Sequence, residues 1–206
     1  LKGTQKGRIL VRHLLDMPSG ILHHGVSTDP DQPHNRAYLS TDHGRAIVED
    51  YPMIGEPGSL YSYANAPADL VALVIERATG RRYVEFVSRE ILIPLGARGG
   101  EIWVNRPGGL AHSGCCTMLP AETYLRLAIL LLDDSRWHGR HLLPSGYVAQ
   151  MRKGTPQNPS FEPSGGGLIN SNKLVVPSLA IMTTPQAMNT RNILGADRWP
   201  MRATNP

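Results

Sequence analysis

Tyr63 and Asn65 stand two residues apart in the stretch Pro57-Gly58-Ser59-Leu60-Tyr61-Ser62-Tyr63-Ala64-Asn65, which runs straight into a patterned helical segment. In extended backbone, residues two apart point to the same side, so a phenol and a carboxamide here address one small volume. A phenol can pass a proton and an amide can fix a neighbour by hydrogen bonds, so the pair suits acid–base work on a positioned substrate. Taken alone, Tyr63 is more simply a buried aromatic whose hydroxyl bonds the backbone. What surrounds the pair decides between these readings.

The elements that must position the pair follow from spacing. Asn65 suits a helix N-cap, Pro67 fits a first turn, and Asp69 puts negative charge near the positive end of the dipole, so a helix is expected from about Ala66. Leu70, Val71, Val74, Ile75 and Ala78 recur at three- and four-residue spacing, and Gly80 lies where a C-terminal cap is wanted. Tyr83, Phe86, Val87, Ile91 and Leu92 define a second helix stopped before Pro94. Pro120 to about Asp133 reads as a third, apolar nearly all round and therefore buried, and Pro144 to Met151 as a short fourth. Ile21 to Pro57, rich in Pro, Asp, His and Gly, reads as a long loop region framing a site. Leu174 to Val176 and Leu179 to Thr183 read as a hairpin, and Pro200 to Pro206 as a frayed end.

These stretches, in this order, resemble the serine β-lactamase and penicillin-binding superfamily. Within it they are similar to the class C-like branch of esterases and 6-aminohexanoate-dimer hydrolases. The similarity is carried by Gly7 to Ile21, by the Tyr63-Ala64-Asn65 element with Pro57-Gly58 before it, by Ile75-Glu76-Arg77-Ala78-Thr79-Gly80, and by Ile93-Pro94-Leu95-Gly96. Leu132 to Gly139 followed by Leu142-Leu143-Pro144 extends it, as does Leu174 to Met182. A bare Tyr-x-Asn is weak; the ordered set spans roughly three quarters of the chain. The Gly114-Cys115-Cys116 turn is similar to the segment that precedes a long core helix in the nylon-oligomer branch.

The resemblance implies an α+β chain, a partial β-lactamase/transpeptidase-like fold with a helical domain and part of an antiparallel sheet. It is read as one incomplete domain over 1–206, with 1–160 mainly helix and loop, 161–185 the closing hairpin and 186–206 an irregular tail. It implies acyl transfer on a β-lactam, ester or small amide. Tyr63 would move the proton, Asn65 would hold the acyl side, and Ser164, Gly165 and Gly166 would line the substrate near the oxyanion hole. No cofactor is implied.

Three departures qualify that picture. No Ser in the sequence is followed three positions later by Lys, whereas the family nucleophile is the serine of an S-x-x-K helix; the expectation is that this segment lies upstream of Leu1. The nucleophile-elbow pattern G-x-S-x-G is absent as well. Ser164-Gly165-Gly166-Gly167 occupies the place of a basic third motif but carries no basic residue, and the interval from Pro159 to Ser164 is short, as a deletion would make it. Three readings therefore stand: a piece of a serine hydrolase, a non-catalytic relative serving as a binding scaffold, and an unrelated helical binding module.

Composition bounds the alternatives. The 206 residues, 41% hydrophobic, suffice for one core. Without a central S-x-x-K helix, the isolated chain is expected to be marginally stable or prone to aggregate. The net charge of +4 is spread out, with only short pairs such as Arg81-Arg82, so a solvated surface is expected and a nucleic-acid stripe is not. The longest apolar run, Leu127 to Leu132, is far short of the ~18 residues that span a bilayer. The expectation is a soluble protein of the bacterial cytoplasm or periplasm, acting on a small acyl substrate. Adjacent Cys115 and Cys116 argue for buried thiols, not a disulfide framework. His23, His24, His34 and His43 lack the short fixed spacing of metal ligands, so no metal site is expected. His13, among apolar neighbours, reads as packed and hydrogen-bonded.

Overall fold

The computed structural model describes residues 3–22, 29, 31–104, 106–114, 117–152, 154–157 and 201–204. The central element is α4, Asn65–Thr79, whose first two turns are buried on every side from Ala66 to Ala72. Against it pack α1 (Val11–Leu15), α3 (His43–Asp50) and α5 (Tyr83–Val87), with α2 (Pro33–Leu39) lying on α3. Gly80 ends α4 as expected, in the left-handed region at φ 67°, its N–H donating to the Glu76 carbonyl. The core between these helices is filled by Ile47, Tyr51, Ile75, Tyr83, Phe86 and Ile91, and α5 continues into a wider π-helical turn, Ser88–Leu92, before Pro94.

A small sheet closes one side. β1 (Gly100–Trp103) pairs antiparallel with β2 (Thr117–Met118), Glu101 opposite Met118, and in parallel with β5 (Met201–Thr204), Gly100 opposite Met201. The expected frayed end is thus corrected over 201–204, where the chain meets the unpaired edge of β1. Between α6 (Ala121–Leu132) and α7 (Tyr147–Arg152), β3 (Arg136–Trp137) and β4 (Arg140–His141) form a tight hairpin. Its turn residues His138 and Gly139 both have positive φ, the geometry whose twist suits paired strands.

Two other expectations change. Ile21 to Pro57 is not a continuous loop, because α2 and α3 occupy much of it. Pro33 opens α2, and the Asp42 carboxylate caps α3 by accepting from the Arg45 N–H at 3.0 Å. Nor is α6 buried all round: Thr123, Leu127, Leu130 and Leu131 face the core, while Leu125 and Leu132 are 60% and 73% exposed. Tyr124 and Ile129 are nearly half exposed. Among the described residues, no helix is long and apolar enough to cross a membrane. The expected hairpin of 174–183 lies outside the described residues.

Candidate active site

The chain reaches Tyr63 along a rail. Residues 17–22 run antiparallel beside 52–62: the Leu22 N–H donates to Pro52 O, Ile54 N–H to Gly20 O at 2.7 Å, Gly58 N–H to Pro18 O at 2.7 Å, and Ser62 N–H to Met17 O at 3.2 Å. Gly20 is required here. Its φ is +75°, and a Cβ would drive into the Gly55 carbonyl. Met17, buried, packs with Tyr61 and Ala68, so the rail is pinned to the underside of α4. Below the Pro57-Gly58 turn lies His13, buried as the sequence suggests, its Nδ1 accepting from the Leu10 N–H. Gln157 Nε2, 99 positions further along the chain, donates to the Gly58 carbonyl at 2.6 Å.

At the end of the rail, the Tyr63 hydroxyl donates to Asn65 Oδ1 at 3.0 Å. The two side chains do address one volume, and Tyr63 is 43% exposed, which excludes the buried-aromatic alternative. This bond also corrects the expected cap. Asn65 is the first helical residue, not the N-cap; extended Ala64 precedes it without a side-chain cap. The carboxamide oxygen that would cap the helix is turned to the phenol instead.

A buried polar cluster lies directly beneath. Asp69, one turn beyond Asn65, is wholly buried. Its Oδ1 accepts from the Gly114 N–H at 2.8 Å, and its Oδ2 is 2.8 Å from His43 Nε2 and 3.2 Å from His112 Nδ1. His43 Nδ1 in turn donates to the Ala37 carbonyl at 3.1 Å. The His112 ring stacks on Trp103 and tilts against His43, with centroids 4.3 Å apart in both cases. Ser113 Oγ donates to Ala68 O at 2.8 Å and accepts from the Ala72 N–H, bridging one rung of α4's own ladder. Gly114 lies so close to α4 that a Cβ would stand 2.6 Å from Asn65 O and 2.9 Å from Ala68 Cβ.

Electrostatics follow from these contacts. For His43, burial pulls the pKa down, but the Asp69 hydrogen bond and charge outweigh it and hold the imidazole above its ordinary value. For Asp69, burial pushes up, and hydrogen bonds from His112 and His43 reverse it, keeping the carboxylate below its usual range. These three side chains also make the one group among the described residues with the donors and proximity to hold a metal ion. Hydrogen bonding accounts for their geometry without one.

Neither His43 nor His112 was singled out as part of a site by sequence. The available signal was Asp69 itself, a charge within a turn whose neighbours are all apolar, which must be paired if that turn is buried. Ser164, Gly165, Gly166, the Cys115-Cys116 pair, His23 and His24 lie outside the described residues.

Known proteins bear on this arrangement. The Beta-lactamase family model matches residues 1–174. A curated relative, the 6-aminohexanoate-dimer hydrolase of Paenarthrobacter ureafaciens, is 33% identical over 97 residues, 46% of this chain and 24% of its own length. A solved Bacillus anthracis protein, provisionally assigned as a 6-aminohexanoate-dimer hydrolase, superposes with a TM-score of 0.60 at 22% identity, covering 74% of this chain and 43% of that one. The chain thus matches about a quarter of the curated relative and less than half of the solved one.

Proposed function

We infer the activity from one premise, that the chain belongs to the Beta-lactamase family, whose model matches it from residue 1 to 174. We propose that it is the Tyr-x-Asn part of a serine hydrolase acting by acyl transfer on a small amide, ester or β-lactam. The observation that carries this reading is the hydrogen bond of Tyr63 to Asn65 at the accessible start of α4. In the reaction, a serine hydroxyl attacks the substrate carbonyl and forms an acyl-enzyme, losing its proton to a base and expelling an amine or alcohol that needs one. On this reading Tyr63 carries that proton, and Asn65 holds the acyl chain and the phenol in register. Among the substrate classes, the similarity to a 6-aminohexanoate-dimer hydrolase favours a small linear amide.

The nucleophile is the missing component. Because no Ser-x-x-Lys occurs in the sequence, we assign it to a segment upstream of Leu1. The chain alone should then form no covalent adduct with a fluorophosphonate probe or a penicillin, and a form supplied with that segment should. Intact-mass detection of an adduct on a serine of the present chain would refute the assignment. The absent Ser-x-x-Lys equally favours a second reading, a non-catalytic relative that binds an acyl ligand. In that case adding the segment restores no labelling, while ligand binding beside Tyr63 persists.

A further inference from the structure

The outward face of α6 carries the pattern of a helix-pairing seam. Ala121, Leu125, Ala128 and Leu132 follow one another at spacings of four, three and four, the repeat that lines one narrow strip along a helix. The strip points to solvent: Ala121, Leu125 and Leu132 are exposed and Ala128 half-buried, while Thr123, Leu127, Leu130 and Leu131 fill the core from the opposite side. Ile129 stands beside the strip and widens it.

The order of residue sizes names the occupant. Small and large side chains alternate along the strip, alanine then leucine, twice over. Laid antiparallel against a second copy of itself, α6 brings Ala121 opposite Leu132 and Leu125 opposite Ala128, so every layer holds one alanine and one leucine. In parallel, the same strip sets leucine on leucine and alanine on alanine, which crowds two layers and leaves two hollow. The ends of the helix agree with the antiparallel choice. α6 closes on Asp133 and Asp134, both exposed, with no basic residue in its last turn, so acid faces the negative end of its own dipole. Its first turn has no side-chain cap. Antiparallel pairing carries Asp133 of each copy to the uncapped, positive end of the other. A two-fold axis makes both contacts at once and closes the assembly at two copies.

We propose that the outer face of α6 is a homodimer interface, the two helices antiparallel about a two-fold axis, with Leu125 and Leu132 of each copy seated over Ala128 and Ala121 of the other. Its extent sets its strength. Twelve residues span about 18 Å, so the strip buries less than the ~1,200 Å² at which interfaces of standard size begin. The dimer is accordingly a weak one, half-formed on the order of 10–500 μM. It is independent of the reading of Tyr63 and Asn65 as site residues.

The test uses the chain as it stands. Sedimentation velocity from about 5 μM to about 1 mM should show a monomer–dimer equilibrium and no larger species. Leu125→Glu, at an exposed position, should keep the fold by circular dichroism and stay monomeric throughout. Ala128→Leu is the sharper variant, because it sets leucine against Leu125 of the other copy. It should weaken dimerisation at least about tenfold, whereas unspecific apolar sticking would grow stronger. Asp133→Lys should leave the monomer at least as stable, since the cation suits its own helix end, yet weaken the dimer about threefold or more. In dimers mixed from labelled and unlabelled chains, isotope-filtered NOEs should join Leu132 methyls to the Ala121 methyl and Leu125 to Ala128. The proposal is overturned if the chain stays monomeric to about 1 mM, or if dimers form equally well with Leu125→Glu or better with Ala128→Leu. It is overturned as well if Leu125 meets Leu125 of the other copy, the parallel arrangement. NOEs from Leu125 and Leu132 to another segment of the same chain, or to the Ser-x-x-Lys segment in a form supplied with it, would give the face to that segment and refute the dimer.

Discussion

Gly114→Ala isolates how tightly the loop before β2 fixes the candidate site. Gly114 is not among the glycines with positive φ, so alanine meets no backbone strain there, and restricting the unfolded chain would alone stabilise the protein by about 0.4–1 kcal/mol. Against this stands the space available. The added methyl would lie 2.6 Å from Asn65 O, 2.9 Å from Ala68 Cβ and 3.1 Å from Asp69 Oδ1. The first two atoms belong to the buried opening turns of α4 and cannot swing aside as the end of a long side chain could. Overpacking of this kind costs about 1–3 kcal/mol, so the clash wins, with a net loss of about 1–2 kcal/mol. For a chain of this size that lowers the melting temperature by roughly 2–8 °C. Urea unfolding should show a lower midpoint at unchanged slope, and the Asn65 amide resonance should move in the native state. A variant as stable as wild type, with Asn65 undisturbed, would show that the loop does not bear on the turn carrying the site.

Gly20→Ala and Gly80→Ala both place a side chain at positive φ, which costs about 1–2 kcal/mol, but only Gly20 also meets a backbone carbonyl, while Gly80 opens on free space. Gly20→Ala should therefore cost at least about 1 kcal/mol more in chemical denaturation, and equal losses would mean the rail has slack. Stability should form a dome against pH. Above about 6.5 the unfolded chain has released the His43 proton that the native state keeps, so stability falls as pH rises through the raised pKa, by up to about 1.4 kcal/mol per pH unit. Below about 3.8 the unfolded chain protonates Asp69 first, so stability falls with falling pH through its lowered pKa. Denaturant midpoints across pH would reveal both arms, and His43→Gln should flatten the alkaline one. Tyr63→Phe removes an accessible hydroxyl, so stability should change by less than about 1 kcal/mol, yet acylation by a penicillin in the form carrying the Ser-x-x-Lys segment should slow by roughly 100-fold. Unchanged acylation would take the proton-transfer role away from Tyr63.

What the sequence made legible, and what it hid, divides along one line. The body of α4 was readable because Leu70, Val71 and Ile75 carry its buried stripe and Gly80 its left-handed end, both local signals. Its first residue was misplaced because Asn65 has two possible uses for one oxygen, and the partner that decided between them, Tyr63, is chosen by the path of the rail. In α2 and α3 the local signals were present in Pro33, the Asp42 cap and the Arg45–Glu49 pair, four residues apart. A composition heavy in polar residues and proline masked them. On α6 the apolar residues were counted correctly, but composition alone does not say that Leu125, Ile129 and Leu132 would face outward. Of the site, the Tyr63–Asn65 pair is local and was seen. The cluster beneath joins residues 43, 69 and 112, which no spacing rule connects.

That cluster explains how a solvent-facing pair can hold a defined geometry. The hydrogen bond between Tyr63 and Asn65 lies at a position nearly half exposed, where such a bond contributes about 0.5–1.5 kcal/mol. Apolar packing under α4 would bury as much surface, but it is non-directional and tolerates small slides of one helix on another. A carboxylate that must meet Gly114, His43 and His112 together has far fewer acceptable positions, and breaking any of those contacts strands a buried polar group at a cost of about 1–3 kcal/mol. Such a pair adds little net stability over a well-packed apolar alternative, since desolvation offsets most of its attraction. Its physical contribution is directional: it fixes the rotation and height of the turn that begins at Asn65, and so the place of the Tyr63–Asn65 pair.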